Sequence, residues 1–154
     1  MTQSESFELN GNLTVDDVPE VRRFVEKLHR RNSSAEDISR VAMATHELLE
    51  NAVKFSTDGT ASLRIEVGAS QVTITTRNRA RPNDLEELSE LARDLTSALD
   101  PMLFYLEQMR RSPKRSGGLG LGRVAAEAEM KIELILDGDI VQIRAEAKLG
   151  PRPA

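Results

Sequence analysis

The sequence has no cysteine and no tryptophan, a single tyrosine and four phenylalanines. Without thiols there is no disulfide framework, no thiolate zinc site and no cysteine nucleophile. With aromatics at 3%, a core has to be assembled from Leu, Ile, Val and Ala. No apolar run approaches the roughly 20 residues that span a bilayer, and the first eight residues are polar rather than leader-like. A basic surplus is also missing. The net charge is −4, which argues against a general nucleic-acid binder, although Arg110, Arg111, Lys114 and Arg115 cluster. These absences predict a soluble, cytoplasmic protein that engages neither nucleic acid nor membrane. What is present is ordinary: 154 residues, 39% hydrophobic and 30% charged, enough for one domain with one core. No repeat or low-complexity linker divides the chain, so 1–154 is expected to be one domain.

The hydrophobic pattern predicts a first strand over 7–13. A helix follows over about 15–31, opened by Thr14 with Asp16 and Asp17 in its first turn and carrying Val18, Val21, Phe24, Val25 and Leu28 at helical spacing. Ser33 with Glu36 reads as a capping box for a second helix that runs to about Phe55. Its apolar stripe is Ile38, Val41, Ala42, Leu49, Ala52 and Val53. Thr45 interrupts the stripe and is expected to bond its hydroxyl back to the preceding turn. Residues 61–67 and 72–76 alternate as a hairpin after the Asp58-Gly59 turn. Asn83 with Glu86 suggests a cap for a helix over 85–99, and Pro101 separates it from another over 102–109. Residues 111–118 read as a basic, glycine-bearing loop, 120–130 as a short helix, and 132–136 with 140–145 as a hairpin around Asp137-Gly138-Asp139. The tail 149–154 is expected to fray. Adjacent strands joined by tight turns, with helices between, predict an α+β two-layer sandwich: a mostly antiparallel sheet with helices on one face.

Two groups of residues carry chemistry. Glu47, Asn51 and Lys54 fall at i, i+4 and i+7 of the second helix, on one face roughly opposite the apolar stripe. A carboxylate can accept a proton from an attacking hydroxyl. A carboxamide oxygen suits Mg²⁺, which is usually held by few protein groups plus phosphate. An ammonium suits a phosphate oxygen. The bland alternative is a solvated helix face with a Glu50–Lys54 pair. The second group is Gly117, Gly118, Gly120 and Gly122, directly before a helix, where backbone N–H groups and the helix dipole favour phosphate. The spacing fits neither a dinucleotide fingerprint nor a P-loop; the bland alternative is a hinge with close helix packing.

Together, His46-Glu47-Leu48-Leu49-Glu50-Asn51-Ala52-Val53-Lys54-Phe55-Ser56 and Ser116-Gly117-Gly118-Leu119-Gly120-Leu121-Gly122 resemble the N-box and glycine-rich box of the GHKL superfamily. That superfamily includes histidine kinase catalytic domains and the anti-sigma-factor serine kinases. The resemblance implies the histidine kinase-like ATPase fold, with ATP and Mg²⁺ bound. It implies Glu47 as base, Asn51 as the Mg²⁺ ligand, and Ser116, Gly117, Gly118, Leu119, Gly120, Leu121 and Gly122 around the triphosphate, while the helix spacing alone places Lys54 beside phosphate. The family's Asp-x-Gly adenine box falls on Asn78-Arg79-Ala80. Here Asn78 keeps an amide oxygen but loses the charge, and Ala80 replaces the glycine. The lid would span about 83–118 and looks unusually helical; its leucines either bury against the sheet or dock a partner.

Three functions follow from the resemblance. The first is a partner-switching serine/threonine kinase that phosphorylates a small antagonist protein of the anti-anti-sigma kind. The second is a degenerate, non-catalytic module that acts by protein–protein binding. The third is a detached histidine kinase catalytic domain. A protein partner is implied in the first two, and a homodimer is compatible with all three.

Overall fold

A computed structural model describes residues 5–29, 34–68, 70–111 and 118–149. Five strands form one sheet: β1 (Glu5–Asn12), β2 (Thr60–Val67), β3 (Gln71–Arg79), β4 (Lys131–Asp137) and β5 (Ile140–Lys148). Their order is β1-β2-β3-β5-β4, and every neighbouring pair is antiparallel. Alternation assigns Leu63, Ile65, Val72, Ile74, Val141, Ile143 and Ala145 to one buried face. The polar residues between them face the other way. Gly59 (φ 77°) and Gly138 (φ 61°) turn the chain in the left-handed region that glycine tolerates.

Helices cover the apolar face. α1 (Val18–His29) buries Val18, Val21 and Val25 and packs on α2 (Ala35–Phe55), which lies over β2 and β3. In α2, Leu48 and Leu49 are fully buried, each contributing on the order of 1.5–3 kcal/mol. Thr45 donates its hydroxyl to the Val41 carbonyl at 2.8 Å, as expected, so the stripe remains continuous. The cap is one residue later than predicted: Ser34 accepts from the Asp37 amide. At the first helix, Asp17 accepts from the Thr14 amide and hydroxyl, so the acid does the capping rather than Thr14.

The segment expected to be the lid forms α3 (Pro82–Ser97) and α4 (Pro101–Arg111). α3 starts at Pro82, whose fixed φ suits a first helical position. Asn83 therefore lies inside the first turn, and no side-chain cap bond forms. Leu88, Leu91 and Phe104 are buried. Met102, Leu103, Leu106 and Met109 of α4 are exposed, and Leu99 is 96% exposed. The lid apolars thus divide between core and surface. The last helix, α5 (Gly118–Ala126), begins two residues earlier than predicted and ends four earlier. Beyond it, Glu129 adopts φ 54°, while the amides of Ala128 and Met130 bond back to Arg123 and Val124. Leu149, expected to fray, donates its amide to the Ser70 carbonyl at 2.8 Å; the rest of the tail lies outside the described residues. Among the described residues, no helix is long and apolar enough to cross a membrane.

Candidate functional site

The bland alternative for the face of α2 that carries Glu47 and Asn51 was a solvated surface. Instead α5 lies across it. Asn51 is only 6% exposed and the Glu47 side chain 15%. The contact is possible because Gly120 has no side chain: a Cβ there would lie 2.8 Å from Glu47 Oε2 and 3.7 Å from Asn51 Nδ2. Glycine inside a helix costs about 1 kcal/mol relative to alanine, so these glycines serve the approach rather than the helix. Lys54 is not part of the cluster. It is exposed, with its ammonium 5.8 Å from the centroid of the Phe55 ring. The Glu50–Lys54 pair considered from spacing is replaced by His46 Nε2 to Glu50 Oε2 at 3.1 Å.

Glu47 is held by a residue whose role the spacing did not reveal. Arg123 donates from Nη1 to Glu47 Oε1 at 2.8 Å and from Nε to Glu127 Oε2 at 3.1 Å. Burial pushes the Glu47 carboxyl above its usual range, and nearby Glu50 adds to this. The Arg123 guanidinium pulls the other way without cancelling it. Arg123 itself is held more firmly in its charged form, chiefly by its bond to Glu127.

Close packing continues from α5 onto α4. A Cβ at Gly122 would meet Tyr105 at 2.9 Å from Cδ1 and 3.1 Å from Cα, so α4 rests directly on α5. Burial, and after it the negative charge of the nearby Glu127 carboxylate, raises the tyrosine pKa. Glu127, Arg123 and Glu47 therefore form a polar chain from just past the end of α5 to α2, with Tyr105 of α4 close to Glu127. In the sequence, the signals were the i, i+4 spacing of Arg123 and Glu127 and the fact that Tyr105 is the sole tyrosine.

On β3, Thr76 and Asn78 share the helix-facing side and are both buried. Asn78 Nδ2 donates to the Arg79 carbonyl at 3.3 Å. Ala80 packs into the hydrophobic core, and its amide donates to the Asp139 carbonyl at 2.8 Å. Of the glycine box, Ser116 and Gly117 lie outside the described residues. Gly118 and Leu119 open α5, Leu121 is buried, and Gly120 and Gly122 make the two close contacts.

Buried polar atoms without a partner include Asn51 Nδ2, Thr76 Oγ1, both amide atoms of Gln108 on α4, and His46 Nδ1. Leaving such a group unsatisfied costs about 1–3 kcal/mol, so each calls for a partner such as an ordered water or a polar ligand. The Asn51 amide beside Gly120, at the start of a helix, fits the phosphate and Mg²⁺ end of a nucleotide. Among the described residues, no group of three or more His, Cys, Asp or Glu side chains could hold a metal unaided. Mg²⁺ that arrives with a triphosphate needs only one or two protein ligands.

Known proteins resolve the family. A family model described as the histidine kinase-like ATPase domain matches residues 12–129. The chain belongs to the histidine kinase-like ATPase family. A chain in the crystal structure of the SiaB–SiaC complex from Pseudomonas aeruginosa shares the fold, at TM-score 0.67 and 17% identity, covering 92% of this chain and 88% of that one. The catalytic domain of the histidine kinase ThkA aligns at TM-score 0.47 and 18% identity, covering 96% and 99% respectively. No curated protein matches at a significant level. The segment read as the N-box lies on α2, the segment read as the glycine-rich box runs into α5, and the segment expected to be the lid covers α3 and α4.

Proposed function

We propose that this histidine kinase-like ATPase binds Mg²⁺·ATP between α2 and α5 and transfers the terminal phosphoryl group to a serine or threonine hydroxyl of a small antagonist protein. The observation that carries the proposal is the juxtaposition of Glu47, Asn51 and Gly120, with the Asn51 amide buried and its nitrogen unpartnered. Asn51 supplies its amide oxygen to Mg²⁺. The 116–122 segment, opening into α5, gives backbone N–H groups to the phosphates, and Lys54 swings in from its exposed position. When bound, Mg²⁺ neutralises charge that develops on the phosphoryl group. Glu47 takes the proton of the attacking hydroxyl. For that, Arg123 has to leave Glu47 Oε1, and the phosphates offer it a more highly charged partner. At the adenine end, Asn78 contributes an amide in place of the family's carboxylate.

Support for a protein substrate comes from α4. Met102, Leu103, Leu106 and Met109 are exposed together, and methionine-rich apolar faces adapt to protein partners. The solved relative sits in a complex with a protein partner. A second reading, binding without catalysis, is favoured by the Arg123 clamp on Glu47 and by Ala80 in the core. The two separate by labelled phosphate transfer from ATP to a co-purified partner. Transfer that disappears in Asn51→Ala and Glu47→Gln supports the kinase. A stable partner complex indifferent to nucleotide, with no transfer, selects the binding module.

A further inference from the structure

The helix-free face of the sheet can be laid out in rows from the strand register. One row runs Glu8, Arg64, Thr75, Arg144, Glu133, and the next runs Asn10, Ser62, Arg77, Gln142, Ile135. Both arginines of the first row are paired: Arg64 lies 3.4 Å from Glu8 and 3.5 Å from Glu66, and Arg144 lies 3.5 Å from Glu146. Along β3 the pairing then stops. Arg77 and Arg79, two positions apart and so about 7 Å apart on the same side, make no ion pair or side-chain hydrogen bond among the described residues. Their cross-strand neighbours are Ser62, Gln142 and Ile140, all neutral.

The backbone changes at the same place. The β2–β3 ladder ends at Ser62–Arg77, whereas β1–β2 continues to Asn12–Thr60 and β3–β5 to Arg79–Ile140. β2 and β3 therefore part beyond Ser62, and a cavity of about 260 Å³ opens at the split. Its charged lining groups are Arg77 and Arg79; Asn10, Thr60 and Ser62 add polar groups, and no carboxylate side chain lines it. Of the acids nearby, Glu8 and Glu66 share the neighbouring groove with Arg77 but are paired with Arg64, Asp58 is taken by Thr60 and Ser56, and Asp137 and Asp139 sit at the turn before and opposite Ile140.

Two like charges side by side on one strand repel each other. An anion between them reverses the sign of that interaction. We infer that the split between β2 and β3 binds a phosphate group, inorganic or carried as a monoester, between the guanidiniums of Arg77 and Arg79. A phosphate bears close to two negative charges at neutral pH and three acceptor oxygens. It therefore balances both arginines, where a carboxylate would balance one. The guanidinium fork matches its oxygens in pairs, and the Ser62 hydroxyl and Asn10 amide can fill the remaining positions. The site is on the opposite side of the sheet from Glu47 and Asn51, so it stands whether or not the chain transfers phosphate.

The test is a titration of the full chain with inorganic phosphate and, separately, with a phosphoserine peptide. The readout is the arginine side-chain and backbone amide NMR signals at constant ionic strength, with chloride as reference. Saturable shifts at Arg77, Arg79 and Ser62 are expected. They should weaken at least tenfold in Arg77→Gln/Arg79→Gln, be partly retained in Arg77→Lys, and be unchanged in Asn51→Ala. A peptide that binds at least tenfold tighter than inorganic phosphate identifies a protein-borne phosphate; equal affinity identifies the free ion. Shifts no larger than those from chloride, shifts that survive the double variant, or shifts lost in Asn51→Ala overturn the inference.

Discussion

Arg123 on α5 donates to Glu47 on α2 at 2.8 Å across 76 positions of sequence, and the bond fixes what the carboxylate can do. Oε1 is taken by the guanidinium, and Oε2 faces Gly120. Glu47 can act on a substrate hydroxyl only after the α5 contact loosens. Because the guanidinium lowers a pKa that burial has raised, Arg123→Gln should move the Glu47 titration further up, as followed by the carboxyl carbon shift in ¹³C-glutamate protein. The rising limb of any phosphotransfer pH profile should shift to higher pH with it. An unmoved Glu47 titration contradicts the clamp. The linkage sign is also fixed. A carboxyl whose folded pKa lies above 4.5 favours the folded state when protonated, and that contribution is lost as pH rises through the folded value.

Gly120 and Gly122 should respond differently to alanine. At Gly120 the added Cβ meets the far end of a side chain, and alanine improves the helix by about 1 kcal/mol. Stability should therefore change little, while Glu47 is displaced and nucleotide binding falls. At Gly122 the Cβ meets Tyr105 at its Cα as well as its ring. Overpacking of about 1–3 kcal/mol should outweigh the helix gain and lower the Tm by a few degrees. Thermal melts with and without Mg²⁺·ATP separate the two.

Asp58 anchors the turn into β2. It accepts from the Ser56 hydroxyl and from the amide and hydroxyl of Thr60, which hold its pKa at about 2, below the ordinary 3.8. A depressed folded pKa stabilises above pH 3.8 and loses that contribution as pH falls through 2. Asp58→Asn should therefore melt below the native chain at neutral pH, and the gap should close as the pH approaches 2. A gap that persists undiminished at pH 2 rules out the carboxylate as its source.

The exposed row on α4 makes a separable prediction. Leu103→Lys and Leu106→Lys touch no core, so stability should stay within about 0.5 kcal/mol. Partner capture should fall at least tenfold in a pull-down with the native chain alongside.

Much of the fold was legible locally. The stripe on α2, with Thr45 bonding back to Val41, follows from spacing alone, and the strand hairpins follow from alternation and from Gly59 and Gly138. What escaped depends on distant partners. Alternation is plain only over 72–76, and pairing with Val141 and Ile140 is what carries β3 on through Asn78 and Arg79. Ser33 and Ser34 are indistinguishable as caps until the backbone selects one. The residues of the N-box face were readable, but not their burial, because this rests on Gly120 and Gly122 admitting α5 and α4 so closely. The bond from Arg123 to Glu47 appears only once α5 has docked.

The central claim is that α2 and α5 form the phosphate and Mg²⁺ end of a nucleotide site. It is tested most directly by the thermal unfolding of the native chain and of Asn51→Ala with Mg²⁺·ATP. A ligand of the folded state present at a hundred times its Kd adds about 2.7 kcal/mol, which should raise the native Tm by roughly 5–10 °C. Asn51→Ala should show little or none of that rise. No shift in the native chain at millimolar Mg²⁺·ATP, or an equal shift in both proteins, contradicts the account.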